Sequence, residues 1–254
     1  MKETLPELTL LMPMAGKGSR FSKVGIKEPK PLIELQGRPF FWWAVESVRR
    51  AATLKEIIFV VLDEHCDQFG MHHKIEKYYP SARIVRISET TSGAAETAHI
   101  GLSGISGDGP IAINDCDHVF TSPDLTAPLK ALSTSSSGAL LCFQSDKPAY
   151  SYIRIGQFGE ILGTVEKKVV SPFSIVGCYF FANANTYINA YQEYKKTCKY
   201  SEMFISGLFD MLTAKGEIVL KLDVVSHCAF GTPEELEKIN DEIFYPYIKW
   251  SENL

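Results

Sequence analysis

The amino-terminal part of the chain contains an apolar run that leads directly into a glycine-rich loop. The run Leu8–Met14 has the character of a buried strand. The loop after it reads Ala15-Gly16-Lys17-Gly18-Ser19-Arg20. Because glycine has no Cβ, the backbone N–H groups of such a loop can approach an anion closely. With the cations Lys17, Arg20 and Lys30 nearby, the loop predicts a polyphosphate-binding site.

Strand-like and helix-like segments alternate through the first half of the chain. The pattern predicts helices over residues 40–52, 65–79 and 94–102, the last one capped by Thr91-Ser92-Gly93. It predicts further strands over residues 56–62, 82–87 and 110–117. This alternation indicates an α/β fold with a mostly parallel sheet, in which ligands bind outside the carboxyl ends of the strands. We therefore expect the glycine-rich loop and the acidic end of segment 110–117 to face one crevice.

The second half of the chain has a different pattern, with short strands that follow one another closely. The predicted strands cover residues 138–144, 151–155, 160–166, 175–181 and 218–230. The predicted helices cover residues 185–197, 202–215 and 234–240. These strands predict a mixed extension of the sheet that forms one side of the pocket. No linker divides the sequence, and residues 133–137 are the only serine-rich stretch, so we expect one domain over residues 1–254.

Composition narrows the class of protein and its location. The chain has 254 residues and a net charge of −4, which argues against nonspecific nucleic-acid binding. No apolar run approaches the roughly 20 residues that span a bilayer, so we expect no membrane partner, and the amino terminus MKETLPEL has no signal core. The six cysteines are scattered without a CxxC pair, which favours a reducing, cytoplasmic compartment.

Neither common phosphate-loop fingerprint matches the glycine-rich loop. The Rossmann pattern needs a third glycine where this chain has Phe21, and the Walker spacing is absent. Several spaced motifs together instead resemble the sugar-1-phosphate nucleotidylyltransferase family, in particular its glucose-1-phosphate thymidylyltransferase-like members. The matching segments are Gly16-Lys17-Gly18-Ser19-Arg20-Phe21, Pro29-Lys30-Pro31-Leu32, Gly37-Arg38-Pro39, Glu166-Lys167, Gly177-x-Tyr179-x-Phe181 and Gly231-Thr232-Pro233-Glu234.

This resemblance implies a Rossmann-like three-layer sandwich with a mostly parallel, mixed central sheet, of the nucleotide-diphospho-sugar transferase type. Residues 1–135 would form the nucleotide-binding half and residues 136–254 the sugar-phosphate-binding half. The implied reaction joins a nucleoside triphosphate to a sugar 1-phosphate and releases pyrophosphate, with Mg²⁺ as the cofactor. The product would be an activated sugar for surface or capsular polysaccharide synthesis. Such a displacement needs positioning and charge neutralisation more than a nucleophilic side chain.

The resemblance also implies roles for individual residues. Arg20 would neutralise the β- and γ-phosphates, Lys30 would bridge the α-phosphate and the incoming phosphate, and Asp117 would hold Mg²⁺, with Asp115 as a second metal candidate. Implied nucleotide contacts come from Met14, Ala15, Gly16, Lys17, Gly18, Ser19, Arg20, Thr91, Ser92, Gly93 and Ala94. Implied contacts to the sugar phosphate come from Lys30, Tyr152, Glu166, Lys167, Gly177 and Tyr179.

One departure from the family pattern keeps other functions open. Members of the family carry a second metal aspartate two residues before the closing Gly-Thr, where this chain has Ala229; Asp223, six residues earlier, is too distant to replace it. One alternative is a cytidylyltransferase for a non-sugar phosphate such as phosphocholine. Another is a nucleotide-binding regulatory protein with little turnover, and a Rossmann dehydrogenase is a weaker one. The sequence names neither the base nor the sugar, and it leaves room for a homo-oligomer.

Overall fold

The computed structural model describes residues 7–105, 109–132 and 134–252. Its helices are α1 (Ser19–Ser22), α2 (Phe40–Arg49), α3 (Asp63–Phe69), α4 (Met71–Tyr78), α5 (Ala94–Leu102), α6 (Thr126–Leu132), α7 (Ala184–Thr197), α8 (Gly207–Ala214), α9 (Pro233–Glu237) and α10 (Asp241–Glu252). A short 3₁₀ helix covers Lys30–Leu32. No helix in the described part of the chain is long and apolar enough to cross a membrane.

The strands form one large sheet and two small ones. They are β1 (Leu8–Met14), β2 (Glu34–Leu35), β3 (Arg38–Pro39), β4 (Leu54–Leu62), β5 (Arg83–Ile87), β6 (Ile111–Asn114), β7 (His118–Thr121), β8 (Gly138–Gln144), β9 (Ser151–Ile155), β10 (Ile161–Glu166), β11 (Phe173–Phe181), β12 (Val219–Asp223) and β13 (Ser226–Ala229). The nine-stranded sheet has the order β10-β9-β11-β6-β1-β4-β5, with β8 beside β11 and β12 beside β8. Strands β7 and β13 pair with each other, as do β2 and β3.

The order of the central strands determines where a ligand can bind. Strand β1 pairs in parallel with β4 on one side and with β6 on the other, and β4 pairs in parallel with β5. The chain therefore leaves β1 toward one edge of the sheet and returns to its other side at β6. A crevice forms at the carboxyl ends of two strands where the strand order reverses in this way.

The core lies in two layers, one on each face of the sheet. Successive side chains of a strand point to opposite faces. Accordingly, Leu10 and Met12 belong to one buried cluster with α2, while Leu11 belongs to the other with α5 and α7. Helices on both faces of a mixed sheet confirm the α/β sandwich with its parallel centre. Strand β11 is antiparallel to β6 and joins the strands of the second half to the same sheet.

Two predicted elements are interrupted in the structure. The helix expected over residues 65–79 is two helices, α3 and α4, because Gly70 takes a left-handed φ of 63° between them. The strand expected over residues 218–230 is also two, since β12 pairs with β8 whereas β13 pairs with β7. The strand expected over residues 110–117 ends at Asn114, so the acidic residues after it lie in a turn. In the expected loop over residues 133–137, residue 133 lies outside the described residues.

Candidate active site

A cavity of about 870 Å³ opens at the carboxyl ends of β1 and β6. Residues of the glycine-rich loop line one side of it, and the acidic turn 115–117 lines another. The two segments meet because β1 and β6 are neighbours in the sheet and run in the same direction. The expectation that both face one crevice is therefore confirmed. A cavity of this size is typical of a site for a small molecule.

The glycine-rich loop packs directly against Lys30. Gly18 has a left-handed φ of 63°, and a Cβ on it would lie 3.3 Å from the backbone nitrogen and the Cβ of Lys30. A side chain at position 18 would therefore be strained in its backbone and crowded against the 3₁₀ helix. The absence of a side chain lets the loop cations and Lys30 share one wall of the cavity, with Arg20 exposed to solvent.

Lys30 forms an ion pair with Asp117 across the cavity. Its Nζ lies 2.7 Å from Asp117 Oδ2, and about a quarter of each side chain is exposed (28% and 23%). Burial alone would lower the pKa of Lys30, but Asp117 and its acidic surroundings raise that pKa above its ordinary value. Burial would likewise raise the pKa of Asp117, yet the Lys30 ammonium holds it below the ordinary carboxyl value. Both groups are therefore charged at neutral pH.

The other carboxylate of the turn, Asp115, forms no ion pair with any cation in the described part of the chain. Burial, and then the charge of Asp117, raise the pKa of Asp115 to about 7. Its Oδ2 lies 2.9 Å from the place where a Cβ of Gly177 would be, and His118 Cε1 lies equally close to that place. Gly177 has a φ of +100° and sits at an irregularity in the pairing of β11 with β8. Glycine is needed there because any side chain would displace Asp115 or His118.

The turn offers two carboxylates to a divalent metal ion. In the described part of the chain there is no cluster of three or more His, Cys, Asp or Glu side chains that could hold a metal. Mg²⁺ is commonly held by only one or two carboxylates together with waters and substrate phosphates. Asp115 and Asp117 supply two such groups, and Lys30 is paired with Asp117. Ala229 also lines the cavity, and it adds no ligand.

The segment expected to contact the base lies on the cavity, with one exception. Thr91, Gly93 and Ala94 line the cavity, whereas Ser92 does not. The Ser92 hydroxyl instead donates to Glu96 Oε2 at 2.6 Å, and the Ser92 backbone N–H donates to the same oxygen at 2.8 Å. The predicted Ser or Thr cap is therefore corrected: Gly93 is the residue before α5, and no side chain caps it.

Residues 91–95 are hydrogen-bonded to the second half of the chain. A Cβ on Gly93 would lie 2.5 Å from the backbone nitrogen of Met203, which no side chain permits. The Met203 N–H donates to Ser92 O at 2.9 Å, and the Ala95 N–H donates to Met203 O at 3.0 Å. Residues from both halves of the chain therefore form this wall of the cavity.

The residues expected on the sugar side line the cavity, with the exception of Tyr152. Glu166, Lys167, Gly177 and Tyr179 line the cavity. Tyr152 does not, since it is fully buried and its hydroxyl donates to Lys147 O at 2.7 Å. The expected contact of Tyr152 with substrate is therefore corrected, because its polar end is turned to the backbone.

Hydrogen bonds hold Glu166 at the cavity, whereas Lys167 lies beside an aromatic ring. Glu166 Oε1 accepts hydrogen bonds from the hydroxyls of Ser151, at 2.6 Å, and of Ser206. Burial nonetheless raises the pKa of Glu166 above its ordinary value. Lys167 has an unusual left-handed φ of 54°, and its Nζ lies 5.0 Å from the centre of the Phe204 ring. A non-glycine residue held in that conformation is frequent at functional sites.

The structure adds cavity residues that sequence reasoning missed. They include Tyr150, Glu202, Phe204, His227 and Glu235. The Tyr150 hydroxyl donates to Glu235 Oε1 at 3.0 Å, which joins two segments 85 residues apart. No local pattern marks these residues, because each reaches the cavity only through long-range packing.

The cationic loop, the paired carboxylates and the α/β cavity together define a site of the nucleotidyltransferase class. The chain belongs to the family of the MobA-like NTP transferase domain, whose model matches residues 12–173. It is therefore a nucleotidyltransferase. The family match confirms the resemblance seen in the sequence. A separate comparison with curated proteins finds no match.

Solved structures of similar proteins extend over nearly the whole chain. The nucleoside-diphosphate-sugar pyrophosphorylase from Vibrio cholerae RC9 is 25% identical with a TM-score of 0.76, over 90% of this chain and 98% of that chain. The inositol-1-phosphate CTP transferase from T. maritima is 15% identical with a TM-score of 0.75, over 99% and 98%. A proposed glucose-1-phosphate thymidylyltransferase from Bacillus anthracis is 17% identical with a TM-score of 0.71, over 93% and 94%. The last two likenesses concern the fold alone.

Proposed function

We propose that this protein joins a nucleoside triphosphate to a sugar 1-phosphate and releases pyrophosphate. The observation that carries the proposal is the convergence of the glycine-rich loop, Lys30 and the acidic turn 115–117 on one cavity. A triphosphate needs cations along its chain and a metal near its reacting phosphorus. The cavity provides the cations on one wall and carboxylates on the next.

The proposed reaction is a displacement at the α-phosphorus. An oxygen of the sugar phosphate forms the new P–O bond as the bond to the leaving pyrophosphate breaks. Arg20 neutralises the charge that grows on the pyrophosphate, and Lys30 orients the α-phosphate and the attacking phosphate. A magnesium ion held by Asp117 and Asp115 would supply further charge neutralisation at the phosphates.

The two halves of the chain would have separate tasks within one domain over residues 1–254. Residues 1–135 carry the proposed triphosphate contacts, with the base beside Thr91, Gly93 and Ala94. Residues 136–254 carry the proposed sugar-phosphate contacts through Glu166, Lys167, Gly177 and Tyr179. An activated sugar made in this way in the cytoplasm would feed surface polysaccharide synthesis. A homo-oligomer is compatible with this arrangement.

One observation favours a second acceptor class, a phosphate ester that carries an ammonium group, such as phosphocholine. Asp115, Glu166 and Glu202 all line the cavity, and the charges of Asp117, Glu166 and Glu202 add to the effect of burial in raising the pKa of Asp115. Tyr179 and Phe204 line the same region, and aromatic rings bind quaternary ammonium groups. Three carboxylates beside aromatic rings suit a cation as well as sugar hydroxyls.

The test is a matrix of the common triphosphates against sugar 1-phosphates, inositol phosphate and amino-alcohol phosphates, read by pyrophosphate release with Mg²⁺. We expect release from a sugar 1-phosphate pair, and release from an amino-alcohol phosphate alone would favour the second class. Asp117→Asn serves as the inactive control. Triphosphate binding by the folded protein without release from any pair would favour the regulatory function that Ala229 suggests.

A further inference from the structure

The acidic turn is tied together beneath its carboxylates by two buried side chains. Asn114 is the last residue of β6, and His118 is the first residue of β7. His118 Nε2 and Asn114 Oδ1 lie 2.9 Å apart, so this hydrogen bond closes the turn that contains residues 115–117. Asn114 is 0% exposed and His118 is 3% exposed. We name these two residues the turn clamp.

The direction of the hydrogen bonds in the turn clamp is fixed by a third partner. Asn114 Nδ2 donates to the backbone carbonyl of Ala44 at 3.0 Å, which leaves its Oδ1 to face His118. With the Asn114 amide in this orientation, Oδ1 accepts and His118 Nε2 carries the hydrogen. The result is a chain of donors from His118 through Asn114 to helix α2, whose residues 40–48 are all buried. The turn is thereby anchored to the core 70 residues away in sequence.

Backbone hydrogen bonds hold the turn from its other sides. The Asp115 N–H donates to Gly177 O at 2.9 Å, and the Phe230 N–H donates to Asp117 O at 2.9 Å. These bonds fix the turn against β11 and against the segment after β13. Among the described residues, the turn clamp provides the side-chain link between the two ends of the turn.

Placing the polar pair Asn114 and His118 in the core is unfavourable unless both side chains are hydrogen-bonded. Burying amide and imidazole groups costs free energy unless each finds a partner, and a well-packed apolar pair would avoid that cost. A fully paired polar network has a different effect, since it rigidifies the groups around it. Its position under two carboxylates suggests that rigidity of the turn is what it provides.

We propose that Asn114 and His118 are positioning residues, which act on the reaction by fixing where Asp115 and Asp117 point. The proposal rests on the proposed function only for its kinetic consequence. A shift of about 1 Å in a reacting group can cost about 100-fold in rate. Loss of the turn clamp should therefore lower kcat far more than it changes KM for the triphosphate.

The chain offers matched variants for the test. His118→Phe removes the hydrogen bond, while His118→Gln keeps an amide donor near the position of Nε2, and Asn114→Leu removes both links. Ser47→Ala is the control, because the Ser47 hydroxyl also joins α2 to β7: it donates to Trp43 O at 2.8 Å and accepts from the Phe120 N–H at 3.0 Å. This control loses a buried hydrogen bond between α2 and β7, the strand that contains His118, without touching residues 115–117.

The experiment measures kcat and KM for each variant, and amide hydrogen exchange at residues 115–118, a window that leaves out the Phe120 amide bound by Ser47. We expect kcat to fall about 100-fold in H118F and N114L, with KM changed less than about threefold, and to recover at least about tenfold in H118Q. Exchange in the turn should become at least about tenfold faster in H118F than in S47A. Equal exchange in H118F and S47A would overturn the proposal, as would wild-type kcat in H118F. An inactive wild type would refute the proposed function, while the exchange data would still judge the turn clamp.

Discussion

Replacing Lys30 by methionine is the most informative single perturbation of the site. Methionine keeps an unbranched chain of similar length and removes the ammonium that lies 2.7 Å from Asp117 Oδ2. Lys30 is paired with an oxygen of Asp117, one of the two proposed metal ligands. Lys30→Met should therefore free Asp117 for a metal ion while it removes a cation that the proposed reaction uses.

The structure gives approximate magnitudes for three effects. Two unit charges about 4 Å apart interact with about 1 kcal/mol in water and about 4 kcal/mol near a protein surface. Removing the Lys30 charge beside the bound metal should therefore raise the affinity for Mn²⁺ at least about fivefold. Turnover should fall about 100- to 1,000-fold, as when another preorganised charge-stabilising group is removed. Because the pair is about three-quarters buried, the free energy of unfolding should fall by about 1–2 kcal/mol.

The assay is titration of Mn²⁺ without nucleotide, followed by electron paramagnetic resonance of the free ion. Lys30→Arg keeps the positive charge and should bind Mn²⁺ as weakly as the wild type. Lys23→Met removes an exposed charge nearby and controls for net charge. If K30M binds Mn²⁺ no more tightly than K30R, Lys30 does not compete for Asp117 and the reasoning fails.

Three further predictions concern the same cavity. Arg20→Ala should lower kcat about 100-fold with the melting temperature unchanged, because Arg20 is exposed; full activity would remove it from the mechanism. Ala229→Asp should bind Mn²⁺ at least about fivefold more tightly than Ala229→Asn, because only the aspartate adds a negative charge. Position 229 lines the cavity and pairs with His118 between β13 and β7. Equal affinities of the two variants would show that no metal lies there. The pKa of Asp115 rises from 3.8 to about 7 on folding, so the folded state binds its proton more tightly and the free energy of unfolding falls as pH rises through that range. In urea titrations, Asp115→Asn should exceed the wild type in stability at about pH 8 and lose that advantage near about pH 4, whereas a constant difference would contradict the shift.

Much of the fold follows from local pattern. Strand β1 has the predicted bounds, Leu8–Met14, because a continuous apolar run ends where the glycines begin. Strands β8 and β9 also begin and end as predicted. The convergence of the two main motifs was predictable as well, since it depends only on parallel strands and their carboxyl ends.

The remaining features depend on partners that are distant in sequence. The segment 218–230 contains no glycine or proline that would predict a break, yet it divides because its two parts pair with strands of different sheets. The sequence position of Tyr152 predicts a contact with substrate, but its hydroxyl donates to the backbone carbonyl of Lys147. The turn clamp had no local signal either, because the partner that orients Asn114 is Ala44 on helix α2.

In the proposed reaction, an acceptor phosphate attacks the α-phosphorus of a triphosphate held between the loop and the turn. An acceptor whose phosphate oxygens carry ¹⁸O tests this attack, with mass spectrometry of both products after a single turnover. We expect all of the label in the nucleotide–acceptor product and none in the pyrophosphate. Label in the pyrophosphate, or orthophosphate in its place, would contradict attack at the α-phosphorus.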